Sequence, residues 1–163
     1  MTPRIRSAAA AVLLAVLAGC GGGRRSVADH EVLAAVKRYN QALPAAYARG
    51  SAGPLQESAT PAEIQRVDDI IGFLAQGRMV MDARQESFEA GPVKHEGAEV
   101  ASVETTEVWW YRHVVAQTGE VKQAPRRVRY RNLFRCRKVG TRWLVDRLEE
   151  RGFTQLPLPG SSR

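Results

Sequence analysis

The chain reads as an α+β fold, with N-terminal helices packed on a curved antiparallel sheet. Three observations predict it. Apolar residues recur at i, i+3, i+4 and i+7 through two segments of the first half. The period switches from 3.6 to 2 after Gly77. The rest holds long stretches rich in Val, Thr, Trp and Tyr, separated by Gly-containing turns. Helices followed by a strand meander segregate the helices to one face of the sheet. A chain of 163 residues is long enough for one domain with a proper core.

The elements follow in order. Arg4 and Arg6 precede an apolar run, Ala8 to Ala18, that is far shorter than the ~20 residues of a membrane-spanning helix. A basic start, a short apolar stretch and small residues at the end make residues 1–19 a secretory signal. The run Leu17-Ala18-Gly19-Cys20 resembles the lipobox of bacterial lipoproteins. That resemblance implies cleavage before Cys20, lipid on its sulfur and new amino group, and an exported, membrane-anchored protein. Gly21 stands where an Asp would resemble an inner-membrane retention signal. The expected address is therefore the periplasmic side of the outer membrane in a host with two membranes, and otherwise the outer face of the cell membrane. Residues 20–26 are the lipidated cysteine and a Gly-rich tether.

From Val27 to about Tyr47, Val32, Leu33, Val36, Tyr39 and Leu43 mark one face of an amphipathic helix, which Pro44 is expected to kink or end. Gly50 to Pro54 is a loop, and Leu55 to Ser58 a short helical turn. Thr60-Pro61-Ala62-Glu63 has the pattern of a capping box with Pro at the first helical position. A helix over Pro61 to Gln76 follows, with Ile64, Val67, Ile70, Ile71 and Leu74 on its apolar face and Gly77 as the stop. Strands are expected over Arg78–Ala90, Ala98–Val115, Arg126–Lys138 and Arg142–Glu149, with turns at Gly91-Pro92, Glu96-Gly97, Thr118-Gly119 and Gly140. The domain thus spans residues 27–153, and the Pro/Gly/Ser-rich residues 154–163 are a disordered tail.

The order of Thr106-Glu107-Val108-Trp109-Trp110-Tyr111, the Thr118-Gly119 turn, Val128-Arg129-Tyr130-Arg131-Asn132-Leu133 and Arg142-Trp143-Leu144-Val145-Asp146 resembles nuclear transport factor 2-like domains. It is similar above all to the branch related to Tim44 and plastid-division proteins. Asn132 lengthens the middle motif by one residue. The resemblance implies a cone-like sheet wrapped around a pocket. It implies no chemistry, because this fold hosts enzymes, carriers and structural adaptors.

Strand parity selects the candidate pocket. Alternate residues of the central strand place Val103, Glu107, Trp109, Tyr111 and His113 on one face, and Tyr130 on the next strand completes the set. A buried Glu beside Tyr and His suits a general base of an isomerase or dehydratase. Opposite an arginine-rich strand, the same Glu107 is expected to accept hydrogen bonds from an arginine or a tyrosine hydroxyl and to be structural. The leading reading is therefore a non-enzymatic ligand- or protein-binding module. A small isomerase- or dehydratase-like enzyme and a homodimer paired through its sheet are the alternatives.

Lys122 to Lys138 holds eight cations and no acid. Arg127, Arg129 and Arg131 alternate with Val128 and Tyr130, so one sheet face is cationic. An anionic lipid, an acidic polymer or an acidic envelope protein fits an exported domain better than nucleic acid, although cross-strand glutamates can equally balance such a face. With Cys20 lipidated, only Cys136 remains, and mid-strand it reads as a small buried hydrophobe. His30 and His95 are expected to be exposed. No metal-ligand spacing, phosphate loop or nucleophile motif is present, so no cofactor is expected.

Overall fold

A computed structural model of the chain describes residues 25–160. Cys20 and the signal segment lie outside the described residues. Helix α1 (Val27–Arg49), a 3-10 turn (Gly53–Leu55) and helix α2 (Pro61–Gln76) precede four strands: β1 (Met79–His95), β2 (Val100–Val115), β3 (Val121–Val139) and β4 (Arg142–Leu156). The strands form one antiparallel sheet in sequence order, and both helices pack against it. The architecture is the predicted α+β.

Helix α1 buries the predicted face, Val32, Leu33, Val36, Tyr39 and Leu43. Its start is a reciprocal capping box: the Ser26 hydroxyl accepts from the Asp29 amide, and Asp29 accepts from the Ser26 amide. Pro44 neither ends the helix nor stops it short of Arg49. Leu43 and Ala46, on either side of it, are buried, and that packing outweighs the one backbone bond the proline forfeits. The helix stops at Gly50, whose φ of 67° a side-chain-bearing residue rarely adopts.

Helix α2 has the predicted span, but its capping box is absent. The Thr60 side chain makes no capping bond, and its hydroxyl is buried without a partner. Residues 58–60 are instead stitched to β4, with the Thr60 amide donating to Val145 and the Val145 amide to Ser58. Glu63 turns inward and is 1% exposed. A side chain held in the core cannot reach back to its cap. Val67, Ile71 and Leu74 are buried, while Ile64 and Ile70 are only partly so.

The sheet owes its curvature to bulges. In β1, Gln85 pairs with Trp109 and Ser87 with Val108, leaving Glu86 extra. Gly91-Pro92, expected as a turn, is a second bulge inside a strand that continues to His95. Proline is tolerated there because β1 is an edge strand with no outer partner for a backbone N–H. In β3 the inward face stays on even positions from Val128 through Tyr130, Asn132, Phe134 and Cys136. The extra residue signalled by Asn132 is absorbed by the partner strand: Arg131 pairs with Gly152 and Asn132 with Glu150, so Arg151 bulges from β4. Beyond this bulge β4 runs past Glu149 to Leu156. Thr154, Gln155 and Leu156 pair with Arg129, Val128 and Arg127, which corrects the expected start of the disordered tail. Gly152, at φ 150°, sits in the strand beside this bulge and pairs with Arg131.

Cys136 is fully buried, and burial pushes its thiol up to about 12, so it is an inert core side chain.

Candidate functional site

The concave face of the sheet and the two helices enclose a cavity of about 450 Å³. Glu107, Trp109, Tyr111 and His113 reach it from alternate positions of β2, and Tyr130 from β3. Val103 belongs instead to the closed end, where it is fully buried in the core. Leu43, Ile70, Leu74, Met81 and Ala83 supply the apolar lining from α1, α2 and β1.

Glu107 is 1% exposed and holds four hydrogen bonds. Oε2 accepts from Asn40 Nδ2 at 3.1 Å, Gln85 Nε2 at 3.0 Å and Trp109 Nε1 at 2.7 Å. Oε1 accepts from the Thr105 hydroxyl at 2.7 Å. No arginine is among the donors, which corrects the expected pairing. Glu107 lies opposite Tyr130 in register; Arg127, Arg129, Arg131, Arg135 and Arg137 sit at odd positions and face the other side of the sheet, and Arg126, at an even position, lies opposite Tyr111. Four neutral donors converge on the carboxylate, three on Oε2 and one on Oε1, so a substrate proton would have to be taken by a group already held in a buried hydrogen-bond network.

A second buried carboxylate braces the helices. Glu63 accepts from the Tyr39 hydroxyl at 2.5 Å and from Arg66 through Nε at 2.8 Å and Nη2 at 2.6 Å. The Leu148 amide adds a longer contact of 3.4 Å from β4. Burial, and then the charge of Glu63, hold the Tyr39 hydroxyl well above the usual tyrosine range.

Sequence reasoning missed Asn40, Arg66, Asn132 and Glu150, all in the cavity wall. Two signals were available. Asn40 is four residues after Val36 and three before Leu43, a polar residue on an apolar stripe, and Glu63 stands four residues before Val67. Asn40 is nearly as buried as its apolar neighbours, and its Oδ1 has no hydrogen-bond donor.

The convex face carries the arginines. Arg127 pairs with Glu86 at 2.5 Å. Arg129 and Arg131 are exposed and form no ion pair among the described residues. Other cations of the sheet are balanced: Arg112 by Asp82, Arg135 by Glu96 and Arg137 by Asp146. The groove beside Arg131 and Arg151 also contains Glu89 and Glu104. Arg84 and Arg112 flank the Trp110 ring at 4.0 and 5.5 Å. His30 is exposed. His95 is also exposed, and its Nε2 lies 2.8 Å from Asp29, tying the end of β1 to the start of α1. Among the described residues no group of three His, Cys, Asp or Glu side chains is arranged to hold a metal ion, and no helix is long and apolar enough to cross a membrane.

No protein-family profile and no curated protein matches the chain in sequence. Solved structures do match it in fold. The intermembrane space region of the chloroplast protein ARC6 superposes with a TM-score of 0.63 at 15% identity, over 78% of this chain and 97% of that one. A ketosteroid isomerase-like protein from Erwinia carotovora atroseptica superposes with a TM-score of 0.50 at 16% identity, over 82% of this chain and all of the other. At these identities the likeness defines a fold, the nuclear transport factor 2-like cone, and leaves function to the site.

Proposed function

We propose that the chain is a non-enzymatic binding module of the cell envelope, anchored by lipid at Cys20, whose cone receives a small ligand. The observation that carries this reading is the commitment of Glu107 to four donors. The buried carboxylate of the cone, the candidate base of the isomerase reading, is held by Asn40, Gln85, Thr105 and Trp109. What remains is a pocket of ligand size, about 450 Å³, with an aliphatic floor and aromatic walls.

The neutral dye N-phenylnaphthylamine tests the pocket. We expect saturable one-site binding, weakened at least about tenfold in Ala83→Trp, which fills the cavity from β1 without touching Glu107. Dye binding that survives this substitution places the site elsewhere. Turnover of an enolisable ketone that disappears in Glu107→Gln reassigns the cone to the isomerase reading.

The anchor rests on the basic start, the short apolar run and Leu17-Ala18-Gly19-Cys20. Cys20→Ser is expected to yield an unprocessed or soluble protein on membrane fractionation. A mature chain that begins beyond Cys20, or carries an unmodified Cys20, overturns this part of the reading.

A further inference from the structure

The polar groups of the cone divide unevenly between committed and free. The chain as a whole is basic, at +7. Its cavity wall nevertheless holds one permanent cation, Arg66, against two carboxylates, Glu107 and Glu150. Arg66 directs both Nε and Nη2 to Glu63. Among the lining residues an anionic ligand therefore meets no cation without a carboxylate partner. Glu107 is buried and committed to its four donors, as described above. Glu150 differs: it is exposed and forms no hydrogen bond or ion pair among the described residues. It lies opposite Asn132 and next to the Tyr130–Phe153 pair in register. Its charge, after burial and the neighbouring Tyr111, helps push the Tyr130 hydroxyl up.

The other surfaces near this carboxylate are aromatic. Tyr130 and Phe153 lie 6.3 Å apart, and Phe153 is 66% exposed, a large apolar ring left open at the rim. Tyr111 and His113 form an edge-to-face pair at 5.9 Å across the same mouth. Ring faces attract cations through their quadrupole. The orphaned Asn40 Oδ1 adds an acceptor, with no donor, to the same wall.

We infer that the cone selects an organic cation, a protonated amine or quaternary ammonium on an apolar body. The body packs against Leu43, Ile70, Leu74 and Met81, and the cation sits between Glu150 and the Tyr111 and Tyr130 rings. This rests on the reading of the cavity as a binding site.

Three probes that share one body and differ in charge test it: phenylbutylamine, phenylbutyrate and phenylbutanol, titrated calorimetrically at neutral pH. The amine is expected to bind at least about tenfold more tightly than the carboxylate, as a charge-assisted contact provides. Glu150→Gln should reduce the amine to the affinity of the alcohol and leave the alcohol unchanged. Glu149→Gln, one residue away on the opposite face of β4, should alter none of the three. Added salt should weaken the amine alone. Equal binding of amine and carboxylate, or amine binding indifferent to Glu150→Gln, overturns cation selection while leaving a binding cone. Failure of all three probes, together with failure of the neutral dye, removes the cavity reading itself.

Discussion

Glu107→Ala is expected to destabilise the domain by about 3–5 kcal/mol, and Glu107→Gln by only about 1–2 kcal/mol, in chemical denaturation. The asymmetry follows from how the two carboxylate oxygens are used. Oε2 takes three donors, from Asn40, Gln85 and Trp109, whereas Oε1 takes only the Thr105 hydroxyl. A glutamine can place its carbonyl oxygen on the three fixed donors and its NH₂ on Thr105. That hydroxyl can rotate to accept, because it carries lone pairs as well as a proton. The remaining loss is the difference between charge-assisted and neutral hydrogen bonds. Alanine offers no acceptor. The Asn40 amide and the Trp109 indole N–H are then stranded in a buried setting, each at about 1–3 kcal/mol, while Gln85, half-exposed, recovers water. Against a typical total of about 5–15 kcal/mol, the alanine variant loses much of its stability. An alanine cost no larger than that of glutamine would show that the donors are not what makes Glu107 necessary.

The fold was legible because hydrophobic period is a local property. The switch at Gly77 separates helices from strands, and parity along β2 puts Glu107, Trp109, Tyr111 and His113 on the one face that lines the cavity. Cap chemistry was legible only in form. Thr60 and Glu63 carry the box pattern and do not make it, while Ser26 and Asp29 make it without having been read. The difference is tertiary: Tyr39 and Arg66 draw Glu63 into the core, and no local pattern encodes a partner 24 residues away. The partners of Glu107 were misread for a related reason. Cross-strand neighbours follow from register, but the donors that meet Glu107 are Asn40 from α1, Gln85 from β1, and Thr105 and Trp109 from its own strand, and neither the packing of a helix over a sheet nor the choice among neighbouring side chains is a sequence period. Bulges are the third gap. Gly91-Pro92 has the composition of a turn, and whether such residues turn or bulge depends on the strand beside them. The arginines of β3 were legible as a face, but which of them are balanced was not: Arg127 and Arg137 find Glu86 and Asp146 on β1 and β4, Arg135 finds Glu96 in the turn after β1, and Arg129 and Arg131 form no ion pair among the described residues.

Arg66→Ala should cost about 3 kcal/mol, the lower end of the range for stranding a buried charge, because the arginine itself is partly in water. Glu63 is 1% exposed and would keep only Tyr39 and the distant Leu148 amide. The double variant Glu63→Gln with Arg66→Met removes both charges and keeps the volume, so it is expected to be more stable than Arg66→Ala. If the double variant is the weaker one, the guanidinium acts through packing and not by neutralising Glu63. The same node makes stability pH-dependent at the alkaline end. The Tyr39 hydroxyl is raised by burial and by Glu63, so in the unfolded chain it releases its proton near pH 10 and in the folded chain it does not. Its contribution is fully present below that pH and is lost as the pH climbs above it, at up to ~1.4 kcal/mol per pH unit. Tyr47 and Tyr130 are raised in the same direction, and Cys136, pushed up to about 12, adds to the loss from about pH 9 upward. Denaturation midpoints between about pH 9 and 11.5 should therefore fall steeply in the parent. Tyr39→Phe should flatten that slope by one proton's worth while losing one hydrogen bond at neutral pH. A slope unchanged by Tyr39→Phe would mean that the hydroxyl ionises as freely in the folded domain as in the unfolded chain, and that the bond to Glu63 does not restrain it.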